Sequence, residues 1–360
     1  MREPKISVVL SVYNNRSDLP AALTSILRQK FSDFELIAIN DGSTDGSGEI
    51  LEEFAKRDSR IRVIHQENRG LAQSLDRGIS GARGTYIARQ DADDVSACTR
   101  LGNQLQYMEE RPACVLSGTW TCFSDDSFSD VFTSQLPNDS KQLKGFLESG
   151  VNPFVHGSAM FRADAYRALP VGYRFSNPIQ DFDLWLRLSK LGEVGILERV
   201  EYFYRMHRQS ISSTTFASRA ELVNIALELH NQRETQGLEQ PETLERMGSA
   251  FNRVRMNKAP KEDFASYSTA IECLRVGQYS KYRRLMGKVA SDAGMLARKA
   301  RWHVRVGHVP FLLRFWYWYR LRNSPGYYFK KRLLGTSPPA DIRELWNLTA
   351  EVTESAASHS

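Results

Sequence analysis

Cysteine is scarce in this chain, with four in 360 residues. Cys98, Cys114, Cys122 and Cys273 form no Cys-x-x-Cys pair and have no histidine cluster beside them. That spacing counts against a zinc site or a disulfide framework and suits a reducing cytosol. No uncharged apolar run approaches the ~20 residues needed to cross a bilayer. Met1-Arg2-Glu3-Pro4-Lys5 leads straight into the first apolar run, without the hydrophobic region of a signal peptide. No Gly-x-Gly-x-x-Gly follows that run, which counts strongly against a dinucleotide-dependent oxidoreductase. What remains is a soluble globular composition, 41% hydrophobic and 25% charged. The length suffices for one full α/β domain and an appendage. The net charge of +6 suits an anionic partner, whether lipid, nucleic acid or nucleotide diphosphate, without choosing among them.

Strand and helix patterns alternate through the first hundred residues. Ile6-Ser7-Val8-Val9-Leu10-Ser11-Val12 is a near-continuous β-branched run, as in a parallel strand covered on both faces. Tyr13-Asn14-Asn15 ends it, and Ser17 is expected to cap a helix carrying Leu19, Leu23, Ile26 and Leu27. Glu35 to Asn40 and Ile61 to His65 read as further strands, each followed by a polar loop and a helix. Short connections of this kind make a parallel sheet, whose ligands bind outside the carboxyl ends of the strands. Four polar clusters fall there: Tyr13-Asn14, Asp41-Gly42-Ser43, Asn68-Arg69-Gly70 and Asp91-Ala92-Asp93.

The last of these is the most informative. Arg89-Gln90-Asp91-Ala92-Asp93-Asp94 closes the apolar run Thr85-Tyr86-Ile87-Ala88. Its three carboxylates repel one another unless a cation sits between them or solvent screens them. In an extended backbone Asp91 and Asp93 point to the same side and offer half of a site for Mg²⁺ or Mn²⁺, completed by diphosphate oxygens. A solvated acidic turn is the alternative. Asp41-Gly42-Ser43-Thr44 likewise has a plain turn-and-cap reading, which explains Gly42 and Thr44 but not Asp41.

Ser7-Val8-Val9-Leu10-Ser11-Val12-Tyr13-Asn14, Asn40-Asp41-Gly42-Ser43-Thr44-Asp45, Asn68-Arg69-Gly70-Leu71-Ala72 and Gln90-Asp91-Ala92-Asp93-Asp94 resemble, in order and spacing, the successive signatures of family 2 glycosyltransferases. The resemblance covers about the first 210 residues. It implies the α/β fold called GT-A, a mixed sheet flanked by helices, here with a C-terminal helical appendage. It implies a nucleotide-sugar donor, UDP-linked or carrying thymine, bound by Val12, Tyr13, Asn14, Asp41, Asn68, Gly70, Gln90, Asp91 and Ala92. Asp41 would hold the base, Asp93 would bind Mn²⁺ or Mg²⁺ directly, and Asp91 would sit nearer the ribose and metal shell. Ser11 stands where such families often carry Pro.

Further on, His156-Gly157-Ser158 resembles the family's acceptor-side strand, although a structural histidine explains it as well. In Gln180-Asp181-Phe182-Asp183-Leu184-Trp185, the family usually writes Glu-Asp, with the Asp as catalytic base. Inverting transfer needs such a base to take the acceptor hydroxyl's proton. Asp181 is the candidate, with N-capping as its alternative and Asp183 as runner-up. A neutral Gln180 removes a like charge and should leave Asp181 more acidic. The strand and lid from Glu201 to Ser212 offer His207 as a metal ligand and Arg205 or Arg208 against the leaving diphosphate. A flexible basic loop is the alternative.

Residues 1–215 are thus expected to form the catalytic domain and 216–300 a helical appendage, with Leu222, Ile225, Ala226 and Leu229 on one helix face. Residues 301–335 mix aromatics with arginines and lysines, for an anionic membrane surface or for a protein groove. Residues 336–360 read as a flexible tail. The expectation is a metal-dependent inverting transferase acting on a glycan or lipid-linked acceptor in cell-surface polysaccharide synthesis, cytoplasmic or on the inner face of the plasma membrane. A homo-oligomer is allowed for and nucleic acid is not expected as a partner. A non-catalytic binding or scaffold protein with a degenerate transferase domain is the alternative; intact Asp41, Asp91, Asp93 and Asp181 argue against it.

Overall fold

The structure, a computed structural model, describes residues 3–124, 131–174, 179–206, 216–256, 341–342 and 344–345. The chain divides into two compact units, residues 1–206 with 333–360, and residues 207–332.

In the first unit the β-branched runs become central strands. β1 (Ile6–Val12) lies between β2 (Phe34–Asp41) and β4 (Tyr86–Asp91), parallel to both, and β3 (Ile61–Gln66) adds to β2 in parallel. Alternation splits β1 between two layers. Val8, Leu10 and Val12 enter a core with Leu19, Leu23 and Ile26 of α1 (Leu19–Leu27), Leu51 of α2 (Ser47–Arg57), and Leu101, Leu105 and Met108 of α4 (Arg100–Glu109). The opposite face is covered by α3 (Leu71–Ser80), whose Leu75 and Ile79 are buried.

Beyond β4 the sheet becomes mixed. β8 (Met160–Arg162) pairs antiparallel with β4 and with β6 (Cys114–Ser124), β9 (Glu193–Arg205) runs parallel to β6, and the short β5 (Val95–Ser96) closes the edge on β9. Among the described residues the strand order is β3-β2-β1-β4-β8-β6-β9-β5. The polar stretch after Thr121 is a hairpin: β6 continues to Ser124 and pairs antiparallel with β7 (Val131–Ser134). α5 (Ser140–Glu148), α6 (Ala163–Arg167) and α7 (Gln180–Leu188) complete this unit.

Two local expectations are corrected. The Ser17 cap does not form. Ser17 Oγ donates to Asp18 Oδ2 at 3.0 Å, and the Asn15 carbonyl receives the N–H groups of Asp18 and Leu19 at 3.1 and 3.0 Å. The stretch from 336 onward is not all loose tail: Ile342 and Leu345 are 1% and 5% exposed and pack with Ala21, Val95, Cys122 and Phe203.

In the second unit, α8 (Phe216–Gln236) buries Leu222, Ile225, Ala226 and Leu229, the face expected, and packs on α9 (Pro241–Met256). The basic aromatic stretch 301–335 lies outside the described residues.

Candidate active site

Because β1 and β2 are parallel neighbours, Val12-Tyr13-Asn14 and Asp41-Gly42-Ser43 leave the sheet side by side. Asn14 turns the chain in a left-handed conformation, φ 52°, which asparagine adopts more readily than other side-chain-bearing residues. Its N–H donates to Ser43 Oγ at 3.1 Å and its Oδ1 accepts from the Thr44 N–H at 2.9 Å. Tyr13, beside it, is 51% exposed. Asp41 is buried, and its carboxylate is a hub. Oδ1 accepts from Gln66 Nε2 at 2.7 Å and from the Arg69 N–H at 2.8 Å, and Oδ2 accepts from the Gly70 N–H at 2.9 Å. Asp41 therefore orders the loop carrying Asn68 and Gly70. Gly42 has φ +76°, and a Cβ there would lie 2.7 Å from the Asn68 nitrogen, so the two loops close only around glycine.

The acidic cluster sits one strand over, on β4, and the chain itself supplies its first cation. Arg89 is fully buried. Its Nη2 donates to Asp91 Oδ1 at 2.7 Å, its Nε to His156 Nε2 at 3.2 Å, and its Nη1 to the carbonyls of Val9 and Gln90. Burial pushes the Asp91 carboxyl up, Arg89 pulls it down, and the charges of Asp93 and Asp181 push it up again, leaving it above the ordinary carboxylate range. Asp94 is buried. Its Oδ2 accepts from Tyr202 Oη at 2.9 Å and its Oδ1 from the Arg205 N–H at 2.8 Å. Burial, then the charges of Asp93 and Asp91, hold its carboxyl well above the usual range. Beneath them Arg100, also fully buried, donates to Gln90, Ser96, Gln104 and the Arg89 carbonyl. Burial lowers its pKa only to about 10, so it stays charged at neutral pH.

Gln90, expected against the nucleotide, is instead fully buried. Its Nε2 donates to the carbonyls of Asp91 and Asp94 at 3.0 and 2.9 Å, so it shapes the acidic turn from below. Ala92 is also buried. Gly157 faces the cluster from the other side: a Cβ there would lie 2.7 Å from Asp91 Oδ2.

The first turn of α7 separates its two acids. The helix N-cap is Ile179, without a side-chain capping bond. Asp181 does not occupy the cap position; its Oδ2 accepts from Asn152 Nδ2 at 2.7 Å. Asp183 corrects its candidacy for the acceptor side. It is 1% exposed, with Arg174 Nε at 2.9 Å and Arg187 Nε at 3.0 Å on Oδ2, and Arg174 Nη2 on Oδ1, so it fastens α7 to the 171–174 segment. His156 is corrected on similar grounds. Its Nε2 receives Tyr173 Oη at 2.7 Å as well as Arg89. Burial, then the Arg89 charge, hold the ring well below the usual imidazole range, so it is neutral and its accepting lone pair is engaged. Arg205 is buried, its guanidinium paired with Asp18 at the start of α1, which turns it away from a role against diphosphate. His207 and Arg208 lie outside the described residues.

Residues 7–169 match the profile of Glycosyl transferase family 2. Over 225 residues the chain is 40% identical to Glycosyltransferase GlyG of Streptococcus pneumoniae serotype 4, covering 59% of this chain and 74% of that protein. The chain belongs to glycosyl transferase family 2. A protein of Bacillus subtilis (strain 168) named as a glycosyltransferase, EpsE, is 39% identical over 197 residues, 53% of this chain and 69% of its own. Among solved structures, TarS of S. aureus, residues 1–349 in complex with UDP-GlcNAc, superposes with a TM-score of 0.55 at 14% identity, over 98% of this chain and 92% of its own. The mannosyltransferase PcManGT of Pyrobaculum calidifontis, in complex with GDP-Man and Mn²⁺, gives 0.50 at 14%, over 97% and 88%. Likeness at that identity establishes the GT-A-type fold alone.

For a family 2 glycosyltransferase the question of a divalent ion rests on the donor set. Among the described residues no three His, Cys, Asp or Glu side chains converge as a ready metal site. The chemistry nonetheless fits Mg²⁺ or Mn²⁺: Asp91 and Asp93 are hard oxygen donors, and each raises the cost of ionising the buried acids beside it. Sequence reasoning missed Arg89, Arg100, Tyr202, Gln66 and Asn152. Only Arg89, a cation inside an otherwise apolar strand run, carries a signal readable without the fold.

Proposed function

We propose that this family 2 glycosyltransferase takes a UDP-linked sugar donor and transfers the sugar, with inversion, to a hydroxyl of a glycan or lipid-linked acceptor. The base would stack at Tyr13 and reach Asp41, whose carboxylate spends three of its roughly four lone-pair sites on Gln66, Arg69 and Gly70 and keeps one for a base N–H. The acceptor oxygen attacks the anomeric carbon, the carbon–oxygen bond to the diphosphate breaks with its electron pair leaving on the diphosphate, and the hydroxyl proton passes to Asp181. Asp93 and Asp91 would hold Mn²⁺ or Mg²⁺, which when bound supplies positive charge against the departing diphosphate.

The observation that supports this reading most is that Asp41 orders the 69–70 loop beside the Tyr13–Asn14 turn at the carboxyl edge of the sheet, with Asp181 among the charges that raise the Asp91 carboxyl on the same side. Asn152 steadies Asp181 without neutralising it. A place at the inner face of the plasma membrane is suggested by the basic aromatic composition of residues 301–335, which suits an anionic lipid surface as well as a protein groove, and a role in cell-surface polysaccharide synthesis rests on the family resemblance.

The test is sugar-nucleotide turnover across a donor panel with and without Mn²⁺, for wild type and Asp181→Asn. Loss of about 10²–10⁴-fold in turnover with UDP affinity retained is expected. Near-normal turnover in Asp181→Asn removes it as the base, and a wild-type protein that binds no nucleotide favours the scaffold alternative.

A further inference from the structure

A chain of hydrogen bonds runs from the surface of α2 to the turn expected to receive the base. Glu52 Oε1 lies 2.8 Å from His65 Nε2, and His65 Nδ1 lies 3.0 Å from Asn40 Nδ2. Asn40 Oδ1 accepts from the Ser43 N–H at 3.0 Å, and Ser43 Oγ accepts from the Asn14 N–H at 3.1 Å. Each direction is dictated by the next. An amide nitrogen only donates, so His65 Nδ1 must accept, which places the ring proton on Nε2, facing the Glu52 carboxylate. Asn40 is buried at 7% exposure, whereas the His65 side chain is 51% exposed. The far end of the chain is Asn14, left-handed at φ 52°, a conformation asparagine tolerates, with its N–H and Oδ1 both engaged by Ser43 and Thr44.

We propose that His65 is a positioning residue for donor binding: through the Asn40 amide it holds Ser43, and through Ser43 the Tyr13–Asn14 turn, in the conformation that receives the nucleobase. This rests on the functional reading above and adds to it a residue on β3, one strand from Asp41 and two from Tyr13.

The experiment is calorimetric titration of the full chain with UDP, TDP and GDP at pH 7.5, for wild type, His65→Phe and His65→Asn, with thermal unfolding alongside. His65→Phe removes the acceptor and is expected to weaken nucleotide binding about three- to tenfold at pH 7.5, the scale of one hydrogen bond, with the melting temperature little changed. His65→Asn, whose Oδ1 sits where Nδ1 was, is expected to recover most of that affinity. Wild-type affinity in His65→Phe, or an Asn variant as weak as the Phe variant, overturns the proposal. A wild type that binds none of the three nucleotides overturns the functional reading itself, and that outcome is visible before any variant is made.

Discussion

Two acids in one helical turn, Asp181 and Asp183, are predicted to respond in opposite ways to the same substitution. Residues two apart on a helix point to different sides. Asp183 points inward, between the Arg174 and Arg187 side chains, which are 14% and 7% exposed. Burial already holds the Arg187 guanidinium below its usual pKa, with the Asp183 charge acting against that. Asp183→Asn keeps the shape, removes the charge and turns an NH₂ group toward a guanidinium. Breaking a buried pair in this way costs about 3–5 kcal/mol. For a unit of this size that is a fall in melting temperature of roughly 6–20 °C, at about 2–4 °C per kcal/mol. Asp181→Asn keeps an oxygen for the Asn152 amide and should stay within about 1 kcal/mol of wild type. The assay is thermal unfolding by circular dichroism, paired with UDP titration. If Asp183→Asn melts within about 2 °C of wild type, or Asp181→Asn is the one that unfolds early, the division of roles on α7 is wrong.

Acid should destabilise the fold through His156. Burial and Arg89 keep the folded ring neutral, while the unfolded ring takes a proton near pH 6.5. Below that pH the unfolded state binds more protons, so stability falls as pH falls, by up to about 1.4 kcal/mol per unit. The raised carboxyls of Asp91 and Asp94 act with the opposite sign, so the measurement is a difference: urea midpoints at pH 7.5 and 5.5 should separate more in wild type than in His156→Gln. Equal separations would show that the ring is not held neutral. Ending the chain after residue 340 should uncover Ala21, Val95, Cys122 and Phe203 and remove the buried Ile342 and Leu345. At roughly 1.5–3 kcal/mol per buried aliphatic side chain, the loss is about 3–6 kcal/mol as an upper estimate. Unchanged urea stability of the shortened chain would contradict that packing.

Much of the catalytic unit could be read from the chain because its central strands are covered on both faces. β1 is then a near-continuous apolar run, β2 and β4 carry apolar cores, and such runs end where polar residues can reach solvent, which puts Asp41, Asn68 and Asp91 at one edge. What escaped was the pairing of charges across the sheet, because periodicity gives a residue's face and not its partner. Arg187 is four residues beyond Asp183, a local pair open to reading, but Arg174 arrives from another segment, and only both together retire Asp183 from the site. Arg89 makes the same point more sharply. Clustered aspartates at a strand end seem to demand a cation from solvent, yet a guanidinium two residues back already grips one of them from inside. A carboxylate count at a strand end therefore overstates the charge left for a bound ion unless the strand itself is first searched for a buried arginine.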